Sequence, residues 1–231
     1  MNSTIPEYLT SLQKALEERA DQEAAMQMTR YVKGKFAFYG IPAPDRRELL
    51  RLHVRQEGPV PEQDLLRVIQ WCWNADQREW QYICMELLGR RSRKAGEGNI
   101  KDYQFLIINK SWWDTVDYIA SNLVGPYFRI YPEKIAPVTS HWMESRNMWL
   151  QRTCLLFQLK YRGDTDTGLL TGFIEQLKDS KEFFIRKAIG WSLREYSKTN
   201  PEFVISFVRN NHLSGLSERE ALKWIQRKGK A

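Results

Sequence analysis

Nowhere in the 231 residues do about 18 apolar residues run uninterrupted, so no segment is expected to cross a bilayer as a helix. Met1 to Leu16 hold no basic stretch followed by an apolar run, which excludes a secretory leader from the expectation and makes the cytoplasm the default location. Cysteine is scarce. Cys72, Cys84 and Cys154 are odd in number and far apart, which argues against a disulfide framework and marks them as small core residues. His53, His141 and His212 have no cysteine, carboxylate or second histidine at a ligand spacing, so neither a metal site nor a cofactor is expected. A period-two strand pattern bounded by hairpin turns is also missing.

Charge and helical periodicity are what the chain has in quantity. Thirty-five Lys and Arg against 28 Asp and Glu leave a formal +7, with a pI near 9.3. That balance favours a polyanionic partner, nucleic acid first and a membrane surface second. Apolar helices recur between short breaks at Gly40 to Pro44, Gly58 to Pro61, Gly96 to Gly98, Gly125-Pro126, Tyr131-Pro132, Gly163 and Asn200-Pro201. Pro44, Pro61, Pro132 and Pro201 each precede an acidic residue, a combination suited to a first helical turn. Trp80, Trp113, Trp149 and Phe184 open successive apolar helices at spacings of 33, 36 and 35 residues. This period predicts an all-α chain of paired antiparallel helices, a HEAT-like repeat solenoid with a concave basic face, spanning residues 1–231 as one domain. An irregular helical bundle would satisfy the same four anchors.

Ser111-Trp-Trp-Asp-Thr-Val-Asp117 carries the densest information. As a helix it places Trp112, Val116, Ile119 and Leu123 on a buried stripe, with Trp113, Asp117, Ala120 and Val124 in the adjacent row. Trp113 and Asp117 then stand side by side at the edge of the core. They are either a rim ring and a surface carboxylate or a pair that meets a cationic ligand. Phe183 to Lys198 forms a second informative helix, with Ile185, Ile189, Leu193 and Tyr196 as its core stripe. Trp191 points away from that stripe and shares its sector with Phe184, Lys187, Arg194 and Lys198. Cations around a ring suit phosphate binding with stacking, though a neighbouring repeat would cover the same face by packing. In Asn147 to Tyr161, Arg152 interrupts an apolar sector made by Met148, Leu155, Leu156 and Leu159. It needs a carboxylate, carbonyl or phosphate partner, as a bridge between repeats or as part of a ligand site.

These segments together resemble the AlkD family of bacterial DNA glycosylases, which remove alkylated purines and are built from HEAT-like repeats. The resemblance runs in order through Met28-Thr-Arg-Tyr-Val-Lys33, Lys110 to Asp117, Asn147-Met-Trp-Leu-Gln-Arg152, Phe157-Gln-Leu-Lys-Tyr161, Ser180 to Trp191, Leu193 to Tyr196 and Lys198-Thr-Asn-Pro201. It implies that Asp117 is the catalytic aspartate, Trp113 and Trp191 the cleft tryptophans and Arg152 the cleft arginine. It also places Tyr31 near the cleft and makes Arg47, Lys160, Arg194 and Lys198 phosphate contacts; the helical wheel adds Lys187 to them. Tyr161 to Gly168 departs from the family pattern and reads as a variable loop.

The resemblance further implies a monomer in the bacterial cytoplasm, acting on double-stranded chromosomal DNA that carries alkylated purines. The expected reaction is hydrolysis of the N-glycosidic bond of N3- and N7-alkylpurines. It needs no strand cleavage, and the base stays stacked. Two other readings fit the same basic groove: a non-catalytic DNA-binding repeat protein, and a protein-interaction scaffold whose exposed rings are contact hot spots.

Overall fold

The structure is a computed structural model that describes residues 4–229. Among these residues regular structure is helical throughout, apart from an isolated bridge between Ala37 and Gln77. Among the described residues no helix is long and apolar enough to cross a membrane, and no cluster of three or more His, Cys, Asp or Glu is placed to hold a metal. The chain divides into two compact units, one ending at Arg91 and the other beginning at Ser92.

The first unit holds α1 (Glu7–Glu18), α2 (Gln22–Tyr31), α3 (Ala43–Glu57), α4 (Leu65–Asn74) and α5 (Arg78–Arg91). Leu9, Leu12 and Leu16 follow helical spacing and are fully buried on one face of α1, which packs on α3. Pro44 lies in the first turn of α3, as its acidic follower predicts. Glu79, at the start of α5, is wholly buried, an arrangement tolerated only with partners. Its carboxylate accepts the backbone N–H groups of Tyr39 at 3.1 Å, Gly40 at 2.9 Å and Ile41 at 3.2 Å, tying down the loop that leads into α3.

The second unit holds α6 (Asn99–Ile108), α7 (Trp113–Ile119), α8 (Gly125–Ile130), α9 (Ile135–Glu144), α10 (Met148–Leu156), α11 (Thr167–Leu177), α12 (Phe183–Ser197), α13 (Pro201–Asn210) and α14 (Gly215–Arg227). Helix α10 packs against α6, α7, α9, α11 and α12, and so sits at the centre of the unit. The aromatic anchors stand in the first turns of their helices: Trp80 in α5, Trp113 in α7, Trp149 in α10 and Phe184 in α12. Cys72, Cys84 and Cys154 are buried free thiols, as expected of small core residues.

Three local expectations are corrected. Ser111 to Val124 is not one α-helix: Trp112 caps α7 in an extended conformation, and Ala120–Val124 is a π-helical turn. Gly125-Pro126 does not break the chain direction, because α8 follows the wide turn directly and takes Pro126 in its first turn, where a missing N–H is harmless. Side chains satisfy carbonyls around the widened turn: Ser121 Oγ donates to Asp117 O at 2.9 Å and Asn122 Nδ2 to Tyr118 O at 3.0 Å. Helix α10 ends at Leu156, and Phe157 to Tyr161 is a string of turns. The Phe157 carbonyl comes so close to α8 that a Cβ on Gly125 would lie 2.5 Å from its oxygen.

Candidate functional site

Trp112, Val116, Ile119 and Leu123 are buried, as the first stripe requires. Trp112 does this from outside the helix, meeting Trp149 at 5.9 Å and Phe184 at 5.1 Å between ring centroids. Trp149 and Phe184 are themselves 5.1 Å apart. Three rings from the starts of α7, α10 and α12 therefore lock these helix ends together. The second stripe survives only in its first turn. Trp113 and Asp117 are half-buried, whereas Ala120 and Val124, at the two ends of the π turn, are fully buried.

Arg152 reaches from α10 to the carboxylate of Asp117 on α7. Its Nε donates to Oδ1 at 2.7 Å and its Nη2 to Oδ2 at 2.9 Å, a two-pronged pair, while Nη1 donates to the backbone oxygen of Phe184 on α12. The expected carboxylate and carbonyl partners are both present. Side-chain exposure is 5% for Arg152 and 14% for Asp117, so the pair is shielded but not sealed. Burial pushes the Asp117 carboxyl above its ordinary value; the hydrogen bonds and charge of Arg152 pull against that, and the nearby Asp114 adds to the rise. Two of the roughly four lone-pair positions on the carboxylate are spent on Arg152, leaving acceptor capacity on the open side.

The predicted phosphate-contacting cations of this unit are each held. Lys160 donates to Asn122 Oδ1 at 2.6 Å, so the π turn that follows Asp117 also aims a cation. Lys198 pairs with Glu195 on its own helix at 2.7 Å. Lys187 and Arg194 both bond Glu220 of α14, a residue that nothing in the local pattern singles out. Trp191 is half-buried on α12, four residues after Lys187 and three before Arg194, on the same helix sector.

Two predicted residues belong to the first unit. Tyr31 ends α2 with 70% of its surface exposed. Arg47 of α3 shares Glu86 with Arg46, at 3.3 Å and 2.9 Å respectively.

A cavity of about 380 Å³ opens between α10, α11 and the end of α12, lined in part by Leu155, Gln158, Arg162, Tyr196 and Lys198. Neither Asp117 nor Arg152 lines it. The carboxylate–guanidinium pair lies outside this cavity, with Trp113 one helical turn before Asp117 on α7.

A shielded acid one helical turn from an indole on α7, with basic side chains around a second indole on α12, is an arrangement of the class that handles polyanions. The comparisons make the class specific: the model of the DNA alkylation repair enzyme family matches residues 12–225, and the chain belongs to that family. A solved structure, a predicted DNA alkylation repair enzyme from Enterococcus faecalis, is similar at 31% sequence identity with a TM-score of 0.83, covering 89% of this chain and 96% of that one. No curated protein matches the chain. Family membership gives the protein a role in repairing alkylated DNA.

Proposed function

We propose that this protein is a monofunctional DNA glycosylase of the AlkD type, hydrolysing the N-glycosidic bond of cationic N3- and N7-alkylpurines in duplex DNA. The observation that carries the reading is the Asp117 carboxylate, oriented by two bonds from Arg152 and left with acceptor capacity beside Trp113. A purine alkylated at N3 or N7 bears positive charge and leaves without protonation by an acid. One carboxylate then suffices.

As the base departs, positive charge develops on the sugar. Asp117 stabilises that charge and accepts a hydrogen bond from the water that attacks the anomeric carbon. Its proximity to a fixed guanidinium is compatible with this role, because Arg152 takes only part of the acceptor capacity of the carboxylate. Trp113 and Trp191 pack against the deoxyribose and add cation–π attraction of roughly 0.5 to 2 kcal/mol each as the charge grows. Lys160, Lys187, Arg194 and Lys198, with Tyr31 and Arg47 of the first unit, supply contacts to the backbone. Basic side chains around Trp191 on one sector of α12 support recognition through sugar and phosphates, with the base still stacked. The protein acts as a monomer in the bacterial cytoplasm, and the repeat array is one functional domain.

The test is release of N7-methylguanine from a defined duplex by the native chain, Asp117→Asn and Trp191→Ala. The native chain frees the base and leaves an intact abasic strand, Asp117→Asn is nearly inactive, and Trp191→Ala is impaired. Equal release by all three would remove the proposed roles of both residues.

A further inference from the structure

Glu220 lies at the seam between α12 and α14 and takes no part in the reaction proposed above. Its Oε1 accepts from Lys187 Nζ at 2.9 Å and lies 3.8 Å from Lys223 Nζ, while its Oε2 accepts from Arg194 Nη1. One carboxylate therefore gathers three cations and leaves the group at +2. We propose that Glu220 is a positioning residue that makes Lys187 and Arg194 a preformed seat for one phosphodiester group of a nucleic-acid strand. This rests on the DNA-binding part of the function proposed above.

Helix geometry shows why a third group is needed. Lys187 and Arg194 are seven residues apart, about 10.5 Å along the axis at 1.5 Å per residue. Two long side chains rooted that far apart would sweep separate volumes. Glu220 draws both tips to the two oxygens of a single carboxylate, and a phosphodiester presents a similar pair of oxygens. Each cation keeps donors after this bond, since an ammonium has three N–H groups and a guanidinium five.

The order of burial sets the direction in which those donors face. The Glu220 side chain is 14% exposed, against 36% for Lys187 and 25% for Arg194, so the carboxylate lies beneath and the cations cover it. Its support is rigid. Helix α14 approaches α12 so closely that a Cβ on Gly190 would stand 2.5 Å from Glu220 Cβ and 2.6 Å from Ser217 O, and Ser217 Oγ donates to Arg186 O at 3.0 Å. Burial pushes the Glu220 carboxyl up, but the bonds and charges of Lys187 and Arg194 outweigh it and hold the group below its ordinary value. It stays ionised throughout the neutral range. Because Lys187 and Arg194 bracket Trp191, a phosphate in this seat would fix the adjoining sugar against the indole ring.

The experiment measures duplex binding by the full chain across a salt series, together with the single-turnover rate at saturating protein. For Glu220→Gln the expected result is affinity about tenfold weaker at moderate salt and a salt slope smaller by about 0.9, the loss of one phosphate contact. The saturated rate falls by less than in Trp191→Ala, since the ring itself remains. In a Lys187→Gln background, Glu220→Gln should add little. Tighter binding by Glu220→Gln would overturn the proposal, because it is what removing a negative charge gives when the cations act independently. Additive effects of the two substitutions would overturn it as well. Should Glu220→Gln fail to fold, Glu220→Asp replaces it, with intermediate affinity expected and native affinity contradicting the role. A native chain that binds no DNA sinks the functional reading itself, an outcome distinct from a native chain that binds while Glu220→Gln matches or exceeds it.

Discussion

Replacing Asp117 by Asn keeps the shape of the side chain and removes one negative charge from beside the reacting sugar. A unit charge about 4 Å from the developing cation is worth about 4 kcal/mol at an effective dielectric of 20. At 1.36 kcal/mol per decade this corresponds to a rate loss of about 10³-fold. Arg152 deepens the loss. It is 5% exposed and would keep one amide oxygen and the Phe184 carbonyl in place of its carboxylate, so its charge would stand uncompensated near a positive transition state. Stripping a buried ion pair of one partner also costs roughly 3 to 5 kcal/mol of stability at the upper end, so the rate belongs at a temperature where circular dichroism shows the variant folded. The assay is single-turnover release of N7-methylguanine with protein in excess. A loss below about tenfold in a folded variant would refute the electrostatic role given to Asp117.

Other expectations follow from the same contacts. Activity should fall in acid as Asp117 takes a proton, with a midpoint above the ordinary value near 3.9, and Arg152→Gln should move that midpoint further up by leaving burial unopposed. The stability term has the opposite sign: a folded value raised above the unfolded one favours folding at low pH and loses that contribution as pH rises through the folded value, which melting curves across this window would register. Trp191→Ala should slow single-turnover release about 2- to 30-fold, the equivalent of 0.5 to 2 kcal/mol; no change would remove the ring from the site. Gly190→Ala forces a methyl group against Glu220 and the Ser217 carbonyl, and an overpacking cost of about 1 to 3 kcal/mol should lower the melting temperature by several degrees. Glu79→Gln replaces a buried acceptor of three backbone N–H groups with one amide oxygen, and faster hydrogen exchange at Tyr39, Gly40 and Ile41 should report the loosened loop.

Legibility in the sequence followed the range of the interaction. Helical periodicity located the buried faces of α7, α10 and α12, and the spacing of Trp80, Trp113, Trp149 and Phe184 marked helix starts, because both signals are local. The need of Arg152 for a partner was readable from the apolar residues around it, and Asp117 with the Phe184 carbonyl meets that need. The π turn at Ala120–Val124 was not readable as such. Its only local trace is Gly125-Pro126, which periodicity treats as a break although the structure uses it to continue. Glu220 was hidden for a different reason: its pairing with Lys187 and Arg194 joins residues 26 or more positions apart, and no motif in α14 announces it. Asn122 was hidden likewise, since its reach to Lys160 depends on the widened turn.

The central claim is that the charge of the lesion, met by Asp117, drives base release without an acid partner. Its most direct test presents native protein with two duplexes, one containing N7-methylguanine and the other its uncharged 7-deaza-7-methyl isostere, and measures free base by mass spectrometry alongside binding. The account predicts binding of both, release from the cationic duplex alone, and an abasic strand that stays intact until alkali is added. Binding of both duplexes with no base released from either would contradict it.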